Sequence, residues 1–233
     1  MVEQVHDGET EIILVDGYSV DKTLEIAKGY PNITVITEKP QGEPDAINKG
    51  MKLATGDIVA FLDGDDIYEP DALKIAEQYF ANPELMWVYG KAHFINPEGR
   101  KIRRLITSAK EYLQNDYSYN KLCYLCFIAQ PSVFMRREFQ RKVGNYNPDK
   151  KLIFDYEYWL RAGKLADPTF IPEYLSSMRA HNGSISVKFS REQMQESLNI
   201  IKEFNKQNRY AYYVRYAILR STEMYYKTVG DWI

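Results

Sequence analysis

The stretch 57-DIVAFLDGDD-66 decides the fold of this chain. Residues 57–62 form a short, mostly apolar run that predicts a buried strand. Three carboxylates, Asp63, Asp65 and Asp66, follow within four residues. A buried strand that closes on polar side chains is typical of open α/β sheets, in which ligands bind outside the carboxyl ends of the strands. The stretch therefore predicts a sheet and also marks the edge at which a ligand site lies.

Apolar runs and helical patterns alternate on both sides of this stretch. The predicted strands cover residues 11–15, 32–37, 57–62 and 85–89. The predicted helices cover residues 21–29 and begin again near Pro44 and near Pro70, because proline is tolerated in the first turn of a helix. Alternating strands and helices indicate βαβ units with right-handed crossovers. We therefore predict an α/β fold with a mostly parallel, Rossmann-like sheet flanked by helices.

The second half of the sequence is less regular. The pattern predicts a hairpin turn at Gly99, a strand at residues 132–135 and a helix at residues 154–164. Residues 187–227 look helical, with a break near residues 205–208. We accordingly divide the chain into one domain and a helical C-terminal extension, covering residues 1–186 and 187–233.

Composition narrows the class of protein. The 233 residues, 45% of them hydrophobic, are enough for one substantial core. No apolar run approaches the ~20 residues that cross a bilayer, and no signal peptide is visible, so a cytoplasmic location is expected. Residues 1–90 hold 18 acidic and 6 basic side chains, whereas residues 91–142 hold 4 acidic and 11 basic ones. This asymmetry suits a divalent cation and an anionic ligand such as a phosphate, although two solvated faces would give the same pattern.

The two cysteines, Cys123 and Cys126, have the spacing of a redox pair or of half a zinc site. No second pair completes a zinc site, and the three histidines are scattered along the sequence. Both cysteines lie in the apolar run 122–129. We interpret them as core thiols.

The acidic cluster at residues 63–66 has two readings on its own. Three carboxylates this close repel one another unless a cation neutralises them, and Mg²⁺ and Mn²⁺ prefer oxygen ligands. The alternative is an ordinary acidic turn in which Asp66 caps the helix near Pro70. The position at the end of a buried strand favours the metal site.

Five segments resemble, in the same order, the motifs of family two glycosyltransferases. Residues 12–23 (IILVDGYSVDKT) are similar to the segment VDGGSTDGT, and residues 38–50 (EKPQG…AINKG) to E-x-x-x-G…A-x-N-K-G. Residues 54–66 are similar to ATGD…FLDADD and residues 154–161 (FDYEYWLR) to DYxxWLR. Residues 179–186 (RAHNGSIS) match the closing R-x-H-x-G-S-x-S. Each motif is weak alone, but five in order are a strong combined signal.

The resemblance implies the A-type glycosyltransferase fold, a nucleotide-sugar donor and inversion at the anomeric carbon. It also implies a saccharide or lipid-linked acceptor and a role in polysaccharide or glycoconjugate synthesis. The implied donor-binding residues are Asp16, Gly42, Asn48 and Asp63. The implied ligands of Mn²⁺ or Mg²⁺ are Asp65 and His181, the catalytic base is Asp155, and the acceptor residues are Gln130 and Glu157.

Three of these residues could instead have an ordinary structural or surface role. Asp155 suits a helix N-cap. His181 in a Gly/Ser loop suits a polar surface, and Gln130 before proline suits a plain turn.

The sequence departs from the family pattern in two places. The family begins with a strand and a helix, of which this sequence shows only the end of the helix, so we expect either that the sequence is truncated or that another segment or subunit occupies that strand position. Tyr18 and Val20 replace the small residues usual in the donor loop. These departures motivate a second hypothesis, a non-catalytic or impaired nucleotide-sugar-binding protein.

The tail and the remaining function classes complete the predictions. Residues 209–220 interleave tyrosines with arginines, which suits packing on the domain, a homodimer or peripheral contact with a membrane; packing is the most common of the three. A dinucleotide-dependent enzyme is set aside because no Gly-x-Gly-x-x-Gly follows a predicted strand. Nucleic-acid binding is not expected, because the basic residues carry no recognisable recognition motif and the chain is net acidic.

Overall fold

The computed structural model describes residues 4, 6–102, 104–181, 183–184, 190–204, 212–217 and 220–221. The strands are β1 (Ile12–Asp16), β2 (Ile33–Thr37), β3 (Ile58–Ala60), β4 (Ile67–Tyr68), β5 (Trp87–Ile95), β6 (Lys101–Ile102), β7 (Val133–Arg136) and β8 (Thr169–Arg179). The helices are α1 (Thr23–Lys28), α2 (Glu43–Leu53), α3 (Ala72–Phe80), α4 (Arg104–Gln114), α5 (Tyr119–Tyr124), α6 (Arg137–Val143), α7 (Phe154–Leu165) and α8 (Ser190–Phe204). A 3₁₀ turn at Gln130–Ser132 leads into β7.

The strands form two sheets. Strands β1 and β2 pair in parallel, with Asp16 opposite Thr37. The other six strands form a mixed sheet in the order β3-β7-β5-β8-β4, and β6 pairs with β5 as a hairpin. Strand β7 runs antiparallel to both β3 and β5, whereas β8 runs parallel to β5.

The α/β class is confirmed, but the prediction of a mostly parallel sheet is wrong. Side-chain periodicity reveals a strand without revealing its direction. Strand β7 comes from the irregular second half of the chain and inserts antiparallel between β3 and β5. Strand β4 adds a further antiparallel pairing, to β8.

A hydrophobic core covers each face of the larger sheet. On β5, Trp87 and Tyr89 face the core built with α7, while Val88 between them faces the core built with α3. Strand β7 alternates in the same way, with Phe134 on the α3 side. This period of two is what a sheet buried on both faces requires.

Several local predictions match the structure. The helix predicted at residues 154–164 is α7, and the turn at Gly99 closes the β5–β6 hairpin with φ of +81°, a value that glycine adopts without strain. Cys123 is buried in the core, which raises the pKa of its thiol, and Cys126 packs against the same core. The strand predicted at residues 57–62 is limited to Ile58–Ala60 in the structure, and the sequence pattern did not predict β8.

The C-terminal extension is described in part. Helix α8 buries Ile200 in the same core as α7. Residues 212–217 are helical, and the buried Arg215 donates to Ser197 Oγ at 2.8 Å and to the Tyr124 carbonyl at 3.3 Å. The predicted break at residues 205–208 lies outside the described residues. Across the parts of the chain that are described, no helix is long and apolar enough to cross a bilayer.

Candidate active site

The acidic loop, residues 63–66, follows β3 after two intervening residues. Its backbone turns back on itself through a hydrogen bond from the Asp66 N–H to the Asp63 carbonyl at 3.1 Å. The Asp66 carboxylate accepts the Arg179 backbone N–H at 2.8 Å, and the Arg179 guanidinium donates to the Asp65 carbonyl at 2.9 Å. The loop is therefore fixed between β3 and the end of β8.

Arg179 also reaches the β5–β6 hairpin. Its guanidinium donates to the Asn96 carbonyl at 3.0 Å and to the Pro97 carbonyl at 2.8 Å. Burial raises the pKa of Asp66 to about 7, although the hydrogen bond from Arg179 opposes that rise. The alternative in which Asp66 caps a helix is wrong, because the N-cap position of α3 is Asp71.

Carboxylates from two helices, α2 and α7, converge beside this loop. Gly42 has φ of +110°, a conformation that favours glycine, and it starts α2 so that Glu43 is the first helical residue. Glu43 hydrogen-bonds Asp63, and the charges of Asp63, Asp155 and Asp65 all act on it. Asp155 lies in the first turn of α7, where the N-cap is Ile153, so the N-cap alternative for Asp155 is wrong.

The protonation of this cluster follows from burial and repulsion. Burial, followed by the charges of Asp63 and Asp155, raises the pKa of Glu43 to about 9. Burial and the charge of Asp65 raise the pKa of Asp63 to about 6, while the hydrogen bond with Glu43 opposes that rise. The raised pKa favours the neutral form of Glu43 at neutral pH, and that form can donate a hydrogen bond to the Asp63 carboxylate. The cluster still holds more negative charge than its surroundings stabilise, which is the electrostatic setting of a cation site.

The two predicted metal ligands meet across 116 residues of sequence. His181 Nε2 lies 2.9 Å from Asp65 Oδ2, and the Gly183 N–H donates to His181 Nδ1 at 3.1 Å. Because Nδ1 accepts that hydrogen bond, the proton of the neutral ring is on Nε2 and points to Asp65. His181 thus orients Asp65 in this arrangement, whereas coordination through Nε2 requires the other tautomer and the loss of the Gly183 hydrogen bond.

The donor set fits a hard divalent cation. Mg²⁺ and Mn²⁺ take one or two protein carboxylates and complete their shell with phosphate oxygens and water. Asp65 is exposed and Asp63 stands two residues away. Within the described ranges, no group of three His, Cys, Asp or Glu side chains is arranged to hold an ion unaided, and a diphosphate-bridged site does not need one.

Asp16 and Asn48, two of the predicted donor residues, have firm structural contacts. Asp16 is buried at the end of β1 and accepts the backbone N–H groups of Tyr18 and Ser19 at 3.0 and 3.2 Å. Asn48 donates to the Tyr146 carbonyl and accepts the Tyr146 N–H, both at 2.8 Å. Asn48 therefore ties α2 to the segment before α7, and its contact with a donor stays a prediction.

The two predicted acceptor residues differ in their surroundings. Gln130 is buried and donates to the Phe61 carbonyl at 3.0 Å, just before the acidic loop; its Oε1 is buried with no hydrogen-bond partner among the described residues. Glu157 is buried and bonds both Nε and Nη2 of Arg161, at 2.8 and 3.0 Å. This ion pair occupies both oxygens of Glu157, so the geometry favours a structural role for it.

Sequence reasoning missed Glu43 and the role of Arg179. Glu43 directly follows Gly42 in a matched motif, and an acidic residue in the first turn of a helix was a signal that was available. Its contact with Asp63 depends on how α2 packs, which a local pattern does not reveal. Arg179 was quoted within a motif and given no role.

Comparisons with known proteins match most of this chain. The family model described as "Glycosyl transferase family 2" matches residues 1–144, a range that includes the acidic loop and ends before Asp155. A PGL/p-HBAD biosynthesis glycosyltransferase from Mycobacterium tuberculosis is 28% identical over 175 residues, covering 72% of this chain and 63% of the relative. Chondroitin synthase from Escherichia coli is 24% identical over 200 residues, covering 84% of this chain and 28% of that enzyme.

Solved structures with a similar fold include two glycosyltransferase complexes. Residues 1–349 of Staphylococcus aureus TarS, in complex with UDP-GlcNAc, align with a TM-score of 0.64 at 17% identity, covering 88% of this chain and 61% of that fragment. The mannosyltransferase PcManGT from Pyrobaculum calidifontis, in complex with GDP-Man and Mn²⁺, aligns with a TM-score of 0.60 at 17% identity, covering 82% and 54%. This chain spans less than two thirds of the length of each of these relatives.

Proposed function

We propose that this chain, which belongs to glycosyl transferase family 2, binds a nucleotide-sugar donor at the acidic loop and transfers the sugar to an acceptor hydroxyl. The observation that carries the proposal is the convergence of Glu43, Asp63, Asp65 and Asp155 beyond the end of β3. Relatives of the same fold have been solved with UDP-GlcNAc and with GDP-Man, which supports a nucleotide-sugar donor.

The finer proposal is a metal-dependent, inverting transfer. In this proposal Asp65, with Asp63 beside it, would hold a Mn²⁺ or Mg²⁺ ion near the donor diphosphate. When bound there, such an ion would neutralise charge that builds up on the departing diphosphate. The complex of PcManGT with GDP-Man and Mn²⁺ supports this choice of ion.

The protein side chains have separate tasks in this proposal. Asp155 takes the proton of the acceptor hydroxyl while the oxygen of that hydroxyl bonds to the anomeric carbon. The bond from that carbon to the diphosphate oxygen breaks on the opposite face, which inverts the configuration and releases the nucleoside diphosphate. Glu43, whose raised pKa favours its neutral form, would orient the Asp63 carboxylate, and His181 would orient Asp65.

The proximity of Asp155 to the donor site supports its assignment as the base. Its charge acts on both Glu43 and Asp63, so its carboxylate lies within electrostatic reach of the proposed diphosphate site. The neighbouring carboxylate on the same helix, Glu157, is instead held in an ion pair by Arg161. The acceptor in this proposal is a saccharide or a lipid-linked molecule.

Calorimetric titration with UDP and GDP, each with and without Mn²⁺, tests the donor site. Asp65→Asn should abolish the Mn²⁺-dependent part of binding, whereas Asp116→Asn, at a highly exposed carboxylate, is the matched control. Absence of nucleotide binding by the unaltered chain under all four conditions contradicts the proposal.

Measurement of nucleoside diphosphate release tests the chemistry separately. With a panel of nucleotide sugars and saccharide acceptors, Asp155→Asn should keep donor affinity and lose transfer by a factor of about 10² or more. Transfer by Asp155→Asn at the unaltered rate excludes Asp155 as the base. Nucleotide binding by the unaltered chain without turnover of any donor would favour the second hypothesis, a non-catalytic binding protein.

A further inference from the structure

Tyr18 has an unusual backbone conformation. It is the one non-glycine residue among those described whose φ is positive, at +67°. This left-handed region favours glycine, so a tyrosine there is strained and persists only where the surroundings hold it.

The carboxylate of Asp16 is what holds it. Asp16 is 3% exposed, and its oxygens accept the backbone N–H groups of Tyr18 at 3.0 Å and of Ser19 at 3.2 Å. The backbone of the loop is thus fixed by the buried carboxylate of Asp16. The Tyr18 side chain, in contrast, is 60% exposed.

The exposed ring lies just beyond the parallel strand pair β1–β2. Tyr18 follows the carboxyl end of β1, and the Asp16 carbonyl accepts the Glu38 N–H at 3.0 Å, next to the carboxyl end of β2. The segment after β2 passes against Gly17 through Pro40 and runs on to Glu43, which contacts Asp63. The loop that carries Tyr18 is therefore linked to the acidic loop through residues 40–43, and it follows the carboxyl end of a parallel strand, where open α/β folds bind ligands.

We infer that the Tyr18 ring is a stacking platform for the base of the nucleotide donor. The inference rests on the proposed function. It adds a residue that contacts the base of the nucleotide, whereas the acidic loop binds the diphosphate. An aromatic side chain stacks on any base through its π-face, so the contribution is shared by uridine and guanosine nucleotides. A rigid backbone beneath the ring lowers the conformational cost of ordering it on binding.

Exposure alone does not carry this inference. Single exposed apolar side chains are common on protein surfaces, and Val20 in the same loop is fully exposed. Tyr18 differs because its backbone conformation disfavours the residue that is present. Glycine would fit the backbone better, so the ring is the part of Tyr18 that needs a function.

The test compares ligands with and without a base. Calorimetry with Mn²⁺ measures the affinity of UDP, GDP and pyrophosphate for the unaltered chain and for Tyr18→Gly, Tyr18→Phe and Val20→Ala. Tyr18→Gly should weaken UDP and GDP by about 5- to 100-fold and leave pyrophosphate within about twofold. Tyr18→Phe and Val20→Ala should bind all three ligands like the unaltered chain.

Thermal unfolding without ligand distinguishes stacking from loop damage. Tyr18→Gly relieves the strained conformation, so its midpoint should equal or exceed that of the unaltered chain. Unchanged UDP and GDP affinity in Tyr18→Gly overturns the inference, as does an equal loss for pyrophosphate. If those results accompany loss of binding in Asp65→Asn, the proposed function stands without the stacking; if the unaltered chain binds no nucleotide, both fall.

Discussion

Replacing Asp63 by asparagine should stabilise the metal-free protein. Burial and the charge of Asp65 raise the pKa of Asp63 from 3.8 to about 6. A group whose pKa is raised on folding stabilises the folded state below its unfolded pKa, and that contribution is lost as pH rises through its folded pKa. The free energy of unfolding of the unaltered chain should therefore fall between pH 4 and pH 7 because Asp63 ionises.

The size of the effect follows from the pKa shift. A shift of about two units corresponds to at most about 3 kcal/mol, since one unit is worth about 1.36 kcal/mol. This figure is an upper bound, because water partly screens the half-buried carboxyl group. Asparagine at position 63 has no charge to bury and keeps an oxygen that accepts the Glu43 hydrogen bond. A gain of 2 kcal/mol would raise the melting temperature of a domain of this size by roughly 4–8 °C.

Urea unfolding in EDTA at pH 4.5 and pH 7.5 measures this difference. Asp63→Asn should exceed the unaltered chain in free energy of unfolding at pH 7.5 and match it more closely at pH 4.5. The exposed variant Asp116→Asn should show no such pH dependence. If Asp63→Asn is equally destabilised at both values of pH, the charge repulsion inferred at this site is wrong. A gain in stability together with a loss of nucleotide binding would mark Asp63 as a residue kept for function.

Three further substitutions follow from contacts at the site. Arg161→Met should lower the free energy of unfolding in urea by about 3–5 kcal/mol, because it leaves the buried Glu157 carboxylate without its partner. The double variant Arg161→Met, Glu157→Gln should recover part of that loss, and a double variant no more stable than the single one would refute the ion-pair argument. His181→Gln should keep the Mn²⁺-dependent affinity for UDP within about tenfold, because an amide N–H replaces the donor to Asp65, whereas His181→Ala should lose more of that affinity. Equal losses of affinity in calorimetry would favour direct coordination of the ion by the ring. Gly42→Ala should lower stability by about 1–2 kcal/mol because its φ of +110° disfavours a side chain, and an unchanged melting temperature would show that α2 begins differently.

The part of the site that lies in one short segment could be predicted from the sequence. Asp63 and Asp65 follow an apolar strand, so both their chemistry and their place at the edge of the sheet are local properties. The meeting of His181 with Asp65 was predicted only through the order of the family motifs, because no local rule joins residues 116 positions apart. Glu43 was missed since its contact with Asp63 depends on the packing of α2.

The fold was predictable to a similar depth. Strands β1 and β2 alternate with helices and were found in the sequence, but β8 was not, because Pro172 and Glu173 interrupt its apolar pattern. The direction of β7 was also out of reach, since it depends on tertiary pairing with β3 and β5. The pairing of Glu157 with Arg161 was within reach, because a separation of four residues on a helix brings opposite charges together.

The contacts of Arg179 have a practical consequence for engineering this protein. The tip of the β5–β6 hairpin is an exposed turn of the kind usually chosen for inserting a tag or a fluorophore. Yet the Arg179 guanidinium binds the carbonyls of Asn96 and Pro97 in that turn and the carbonyl of Asp65 in the acidic loop. A label placed at the tip would therefore disturb the site that it was meant to report on. The exposed Tyr112 on α4, which has no hydrogen bond to the acidic loop among the described residues, is the safer attachment point.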